Sequence, residues 1–121
     1  MQTVDTDWGK RLIANTDIKI YGFFECPDGW RKLVEKLVTD LFAGGWDGEL
    51  HQVKEKFGSL RFYTGGMSQA CMDIVDSAEA ESYTVCQDCG DPGVLRSGGW
   101  IRTLCDPCAD RRKQPARAER S

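Results

Sequence analysis

Apolar residues in the second quarter of the chain recur with the three- and four-residue spacing of an α-helix. They are Trp30, Leu33, Val34, Leu37, Val38, Leu41 and Phe42. This spacing puts all of them on one helical face, and charged residues fill the other faces. Pro27 and Asp28 are a start signal, and Gly44 and Gly45 are a stop signal. We predict a helix over residues 28–43 with its apolar face in the core.

Two segments that alternate apolar and polar residues follow, and they predict a β-hairpin over residues 49–64. Gly58 and Ser59 form the link, and glycine at the first link position is typical of a type II′ turn. In this register Lys56 lies opposite Arg61. The face that can cover the helix consists of Val53, Glu55, Phe57, Leu60 and Phe62. The opposite face consists of Lys54, Lys56, Arg61 and Tyr63.

The rest of the chain is less strongly patterned. A second helical spacing, capped by Ser68, predicts a helix over residues 67–82. Residues 1–25 fit one or two helical turns followed by an extended segment. We therefore expect an α+β fold with a helix–β-hairpin–helix body over residues 1–82. Residues 114–121 contain Pro115 and no apolar residue larger than alanine, which predicts a disordered tail.

The composition is that of a soluble globular chain. Its 121 residues are 40% hydrophobic and 29% charged, and no apolar run is long enough to span a membrane. The first residues lack the features of a secretory leader, so we expect a protein of the reducing cytoplasm. The formal net charge is −3, although residues 83–121 alone carry seven Lys or Arg and five Asp or Glu. This mild overall acidity argues against nucleic acid as the default partner.

Four of the six cysteines form two Cys-x-x-Cys pairs with fifteen residues between them. The pairs are Cys86 with Cys89, and Cys105 with Cys108. This spacing is typical of structural zinc sites, in which four thiolates enclose one Zn²⁺. The alternatives are disulfides or free thiols. Since four thiolates leave no open position for water or substrate, we predict a structural metal site.

The residues around these pairs predict a treble-clef zinc finger over residues 83–113. Gly90 can close the first pair into a knuckle, because glycine accepts a left-handed turn. The segment between the pairs predicts a short hairpin. Asp106 and Pro107 are start signals for a helix that holds the second pair. The predicted fold is thus an α+β body followed by a four-cysteine finger.

Two segments around the paired cysteines resemble the zinc finger of the DksA/TraR regulators of RNA polymerase. They are Cys86-Gln87-Asp88-Cys89-Gly90 and Leu104-Cys105-Asp106-Pro107-Cys108. This resemblance implies a zinc-finger regulator associated with RNA polymerase.

A larger part of the chain, roughly residues 26–110, resembles small proteins of unassigned function encoded by phages and prophages. The similar strings are Val53-Lys54-Glu55-Lys56-Phe57-Gly58-Ser59-Leu60-Arg61-Phe62-Tyr63 and Gly99-Trp100-Ile101-Arg102-Thr103-Leu104-Cys105. The resemblance implies no reaction. It implies a viral accessory protein in the bacterial cytoplasm, turned against host machinery or host defence.

Candidate catalytic residues are few. His51 is the only histidine, and no serine, histidine and acid follow one another in a way that suggests nucleophilic catalysis. Cys26 and Cys71 remain outside the pairs, either as buried thiols or as a disulfide. No glycine-rich phosphate-binding motif is present. We expect a protein that is not an enzyme.

Six side chains are candidates for partner binding. They are Lys54, Lys56, Arg61 and Tyr63 on the hairpin, and Trp100 and Arg102 on the finger. The hairpin set could bind phosphate, nucleic acid or an acidic protein surface, or it is simply a solvated face. Trp100 either packs on the small core of the finger or joins Arg102 in a recognition surface. We predict a non-catalytic, zinc-stabilised protein that binds a host protein, with nucleic-acid binding as the alternative and an enzyme as the third hypothesis.

Overall fold

The computed structural model describes residues 3–97 and 99–113, which form a mixed α+β fold. The elements in chain order are β1 (Thr3–Val4), α1 (Asp7–Ala14), β2 (Lys19–Phe24), a 3₁₀ turn (Asp28–Trp30), α2 (Arg31–Ala43), β3 (Glu49–Lys56), β4 (Ser59–Thr64), α3 (Gln69–Ser82), β5 (Val94–Arg96), β6 (Arg102–Leu104) and α4 (Asp106–Lys113). The expected tail, residues 114–121, lies outside the described residues.

The apolar stripe of the first predicted helix lies at the centre of the core. Val34 and Leu41 on α2 are fully buried, and burying a side chain of this size contributes about 1.5–3 kcal/mol to stability. The exposed side of α2 carries charged pairs, such as Arg31 with Glu35 at 3.0 Å. Such an exposed pair adds only about 0.3–0.5 kcal/mol, so apolar burial holds the helix in place.

The larger sheet has the strand order β1-β2-β3-β4. Strands β1, β2 and β3 run parallel, and β4 pairs antiparallel with β3. Parallel strands are joined by right-handed crossovers, so α1 and α2 lie on the same face of the sheet. Consistent with this, α1 contacts α2, and α2 contacts α3. No element of the described residues covers the opposite face of the sheet.

The structure therefore adds an N-terminal part to the helix–β-hairpin–helix body that we expected. Strands β1 and β2 with α1 extend the hairpin to a sheet of four strands. The residue pattern did indicate helical turns and an extended segment within residues 1–25. It did not predict the parallel pairing, because that pairing depends on contacts made across the intervening helices.

The hairpin register differs from the predicted one. Its turn falls one position earlier, on Phe57 and Gly58, whose φ angles are 53° and 86°. Two successive left-handed residues define a type I′ turn instead of type II′. Arg61 consequently lies opposite Lys54 instead of Lys56.

The shift moves strand partners by two residues and leaves the two faces of the hairpin unchanged. Val53, Leu60 and Phe62 are buried against the helices as expected. Phe57 was predicted to join them, but it occupies the turn and is 62% exposed.

Two hydrogen bonds to Gly58 explain why the turn sits there. The Glu55 carboxylate accepts the Gly58 N–H at 2.7 Å, and the Thr103 hydroxyl donates to the Gly58 carbonyl at 2.7 Å. The second bond comes from β6, more than forty residues further along the chain. A local turn signal contains no information about such a contact.

Helix α3 protects the outer edge of β4. Ser82 Oγ accepts the Leu60 N–H at 2.8 Å, and a Glu79 carboxylate oxygen accepts the Phe62 N–H at 2.9 Å. Edge-strand donors left free are a template for unwanted strand pairing. Burial raises the pKa of Glu79 against the lowering effect of its hydrogen bond to Phe62.

The four-cysteine module, residues 83–113, packs directly on the body. Trp30 Nε1–H donates to the Val85 carbonyl at 2.8 Å, and the Gly29 N–H donates to the Gln87 carbonyl at 2.8 Å. A Cβ atom on Gly29 would clash with the carbonyl of Cys86, so only glycine allows this approach. The knuckle of the module is thereby fixed to the start of α2.

Candidate metal centre

The four paired cysteines converge on one point. The Sγ atoms of Cys86, Cys89, Cys105 and Cys108 all lie within 4.8 Å of one another. The Cys89 and Cys105 sulfurs are 3.6 Å apart. A tetrahedron with metal–sulfur bonds of about 2.3 Å has sulfur–sulfur edges of about 3.8 Å, so the arrangement fits one metal ion.

The first pair is held in a knuckle that Gly90 closes. Its φ of 86° requires glycine, and its N–H donates to the Cys86 carbonyl at 3.0 Å. A reciprocal pair of bonds then ties this knuckle to β6. The Gln87 N–H donates to the Thr103 carbonyl at 2.9 Å, and the Thr103 N–H donates to Gln87 Oε1 at 2.7 Å.

The second pair sits at the start of α4. The Cys105 carbonyl accepts the Ala109 N–H at 2.9 Å, so Cys105 precedes the first turn and Cys108 lies within it. Asp106 was predicted as the residue before the helix, but it is already helical. The hairpin of β5 and β6 connects the two pairs, with Leu95 opposite Thr103.

Two arginines lie beside the sulfur cluster. Arg111 Nη2 donates to Cys108 Sγ at 2.8 Å. Arg112 forms a two-bond pair with Asp88, at 2.8 and 2.6 Å, and this pair lowers the pKa of the Asp88 carboxyl. Four thiolates and a divalent ion carry a net charge of −2, which the neighbouring guanidinium of Arg111 partly offsets. The spacing of the cysteines predicted the sulfur cluster, but it did not predict the charged side chains that surround it.

The thiols differ in how readily they ionise. Burial raises the pKa of Cys86, but backbone N–H groups of Cys105, Cys89 and Asp88 hydrogen-bond its sulfur and bring that pKa down to about 7. Burial and the neighbouring thiols raise the pKa of Cys108 to about 12. A metal ion that binds here must displace the Cys108 proton, so its affinity falls as the pH falls.

The module has almost no core of its own. Its buried cluster consists of Cys86, Leu104, Cys108 and Ala109, and two of these four are candidate metal ligands. So small a cluster cannot offset the entropy of ordering about thirty residues. We therefore expect the fold of the module to depend on a bound metal ion and on its contacts with the body.

The six predicted partner-binding residues fall into two groups. Lys54, Arg61 and Tyr63 lie on the open face of the sheet. Lys56 and Trp100 line a cavity of about 310 Å³ between the hairpin turn and the module. Arg102 lies beside the second group, with its guanidinium carbon 5.6 Å from the centre of the Trp100 ring. Their role in binding stays a prediction.

The second group belongs to an apolar surface that we call the junction patch, formed by Phe57, Leu95, Trp100 and Ile101. Trp100 is 74% exposed, so the alternative in which it packs on the core of the finger was wrong. Leu95 and Ile101 approach the hairpin at Gly58, which joins the two halves of the patch. Sequence reasoning missed Phe57 and Leu95 as members of this patch, because both match an ordinary strand pattern.

The remaining candidate residues have separate environments. His51 Nε2 is 2.7 Å from a Glu49 carboxylate oxygen. Cys26 and Cys71 are separate buried free thiols, and burial raises the pKa of Cys26 strongly. Cys71 Sγ lies 3.5 Å from the Gly44 carbonyl. Neither cysteine belongs to the metal cluster.

No helix among the described residues is both long enough and apolar enough to cross a bilayer. Comparison of the chain with models of protein families, with curated proteins and with solved structures gives no match in any of the three. A functional proposal must therefore rest on the geometry of the metal centre and of the two surfaces.

Proposed function

We propose that the chain is a non-catalytic, zinc-stabilised binding protein that docks a protein partner on the junction patch. The supporting observation is that the body and the four-cysteine module build this patch jointly. Phe57 comes from the body, and Trp100 comes from the module. In this proposal the metal orders the module and so holds the two halves of the patch together.

Zinc is the metal that best suits the sulfur cluster. Four thiolates in a tetrahedral arrangement are typical of structural zinc, which imposes no geometry of its own. A knuckle, a short hairpin and a helix that starts at the second pair match a treble-clef finger. With all four positions filled by sulfur, no position remains for water or substrate, which supports a structural role.

The conformation of Phe57 supports a binding role for the patch. A left-handed residue other than glycine costs about 1–2 kcal/mol, and asparagine or aspartate would fit this turn better. The exposed ring regains only a little of this energy, since Lys56 Nζ lies 5.7 Å from its centre. A strained and exposed aromatic residue is better explained by contact with a partner than by folding.

The chemistry of the patch defines its partner. Trp is the residue most enriched among those that dominate binding energy, and Trp100 lies on a cavity that can receive an apolar side chain. Lys56 and Arg102 lie against the two aromatic rings, and their positive charges outweigh the one carboxylate that lines the cavity, that of Glu55. We therefore expect a protein segment with an apolar anchor flanked by acidic residues.

Whether that partner belongs to a bacterial host, as the resemblance to phage proteins implies, stays part of the proposal. An association with RNA polymerase through the finger, which the other resemblance implies, likewise stays part of the proposal. Both expectations name a source for the partner, and neither changes the surface that binds it.

The test is affinity capture from bacterial lysate followed by mass spectrometry, with four forms of the tagged protein. Trp100→Ala removes the anchor, and Phe57→Gly removes the other ring without backbone strain. Tyr83→Ala removes a half-exposed aromatic ring outside the patch and serves as the control. We expect the wild type and the control to capture the same protein, and both patch variants to bind it at least tenfold more weakly, about 1.4 kcal/mol. Equal capture by all four forms would exclude the patch.

A further inference from the structure

The face of the sheet opposite the helices carries a row of rings and cations that the junction patch does not use. Phe23, Gln52 and Tyr63 lie side by side across β2, β3 and β4, and Lys54 and Arg61 form the next pair. The alternate row on the same strands is buried against the helices. The open face is thus defined by Tyr21, Phe23, His51, Gln52, Lys54, Arg61 and Tyr63.

The rings on this face are open to solvent. Tyr21 is 59% exposed and Tyr63 is 42% exposed. The rings of Tyr21 and His51 lie 5.8 Å apart and are tilted by 30°. Gly22 allows β2 and β3 to approach this closely, because a Cβ atom on residue 22 would clash with the carbonyl of His51. The irregular pairing of β2 and β3 at this point therefore places two flat rings next to each other.

The positive charges lie among the rings. Lys54 Nζ is 5.8 Å from the centre of the Tyr63 ring, and Lys54 lies directly opposite Arg61. Like charges in opposite positions destabilise a sheet. Within the described part of the chain, the buried Nε of Arg61 has no hydrogen-bond acceptor. The ammonium of Lys54 and the other guanidinium nitrogens of Arg61 are the donors that a phosphate oxygen on this face could use.

The positive charges lie at the centre of the face, which favours an anionic ligand there. Lys54 and Arg61 form the central pair, and Lys19 lies at the start of β2. The nearby acids lie at the edges: Glu49, whose carboxylate contacts His51, Glu25, just beyond β2, and Glu79 of α3, which is close enough for the charge of Arg61 to act on its carboxyl. The chain as a whole is acidic, so the cations of this sheet are a local exception.

We propose that the open face binds single-stranded nucleic acid, with bases stacked on Tyr21 and Tyr63 and phosphates held by Lys54 and Arg61. Strands two places apart in a sheet are separated by about 10 Å, so the two tyrosines can each take one base of a short segment. Only unpaired bases can stack on protein rings, which excludes a duplex. An acidic polypeptide would satisfy the cations but not the rings. This site is separate from the junction patch.

The experiment is fluorescence anisotropy with labelled oligomers of about 12 nucleotides, namely oligo-dT, oligo-U and a DNA duplex of equal length. We expect both single strands to bind better than the duplex, and binding to weaken by orders of magnitude between about 50 and 200 mM salt. Tighter binding of oligo-U than of oligo-dT would identify the ligand as RNA, and tighter binding of oligo-dT would identify it as DNA. A polyglutamate competitor that displaces the oligomers at equal charge concentration would assign the face to acidic protein and overturn the proposal.

Variants separate stacking from charge. Tyr21→Ala with Tyr63→Ala should weaken binding at least tenfold and leave the salt slope unchanged. Lys54→Gln should weaken binding and lower the salt slope by about one. Arg61→Lys keeps the positive charge. It is the variant to use at this position if larger substitutions there prevent folding. Trp100→Ala, on the junction patch, should bind like the wild type. The proposal fails if no single strand binds at low salt, or if the tyrosine variant binds normally with an unchanged melting temperature.

Discussion

At the scale of single residues, the most informative side chains are those that break a local rule. Phe57 adopts a left-handed conformation without being glycine, and Trp100 exposes most of its ring. The sequence marks Gly58 as a turn residue, but it does not say which neighbour shares the turn. That choice depends on Glu55 and Thr103, and only the folded chain brings Thr103 to the hairpin.

Replacing Phe57 tests whether stability is given up for binding. Phe57→Asn creates the residue pair preferred in type I′ turns, so we expect the free energy of unfolding to rise by about 1 kcal/mol in urea titrations. Phe57→Ala keeps the strain and loses only the ring, so it should bring no such gain. Both variants should bind the partner of the junction patch more weakly. A loss of stability in the Asn variant would show that the ring itself supports the fold.

At the scale of elements, the helices, the two hairpins and the clustered cysteines were predictable, whereas the parallel strand pairing and the exact register of the first hairpin were not. The stripe that includes Leu37 defines α2, and the spacing of Cys86 and Cys89 defines half of the metal cluster, because both signals are local. Strand β1 has only two residues, and its partner β2 lies across a helix. The hydrogen bonds between Gln87 and Thr103 leave no sequence signal, since each residue looks like an ordinary polar position.

The contact between β6 and the hairpin turn can be tested with a near-isosteric change. Thr103→Val removes the hydroxyl that donates to the Gly58 carbonyl and leaves that carbonyl without a partner in a buried position. We expect a loss of about 1–3 kcal/mol in the free energy of unfolding. Thr39→Val is the matched control, because its hydroxyl bonds a carbonyl on an exposed helix face. Equal effects of the two changes would mean that the turn does not depend on this contact.

Helix α3 should give the protein a recognisable pH dependence through Glu79. Burial raises the pKa of this carboxyl, so the folded state holds its proton to a higher pH than the unfolded state does. This contribution to stability is present below the unfolded pKa and is lost as the pH rises through the folded pKa. Glu79→Gln keeps an acceptor for the Phe62 N–H and should be at least as stable as the wild type near pH 7. Thermal melts of both proteins between about pH 4 and pH 7 measure this, and a less stable Gln variant near pH 7 would contradict it.

At the scale of the whole molecule, two unequal cores are joined by a few directed contacts. The body buries a large apolar cluster that includes Trp30 and Phe24. The four-cysteine module buries little besides its own ligands. Trp30 and Thr103 connect the two through single hydrogen bonds. We therefore expect the body to keep its fold without a bound metal ion, and the module to lose its fold.

Removal of the metal should accordingly unfold one part of the chain. With a strong chelator under reducing conditions, we expect amide protection to be lost across residues 83–113 and to persist in α2 and β3. Partner binding at the junction patch should weaken when this protection is lost. The strands that form the open face should stay folded. Uniform loss of protection in both parts would indicate that the metal stabilises the entire chain as one cooperative unit.

The most direct test of the account is the metal content of the folded chain, measured by native mass spectrometry after purification in a reducing buffer. We expect one bound zinc ion per chain, and a Cys89→Ser variant that binds zinc much more weakly. A Cys71→Ser variant, changed at a buried cysteine outside the cluster, should keep the ion. A wild-type chain that is folded over residues 83–113 and carries no metal would contradict the account.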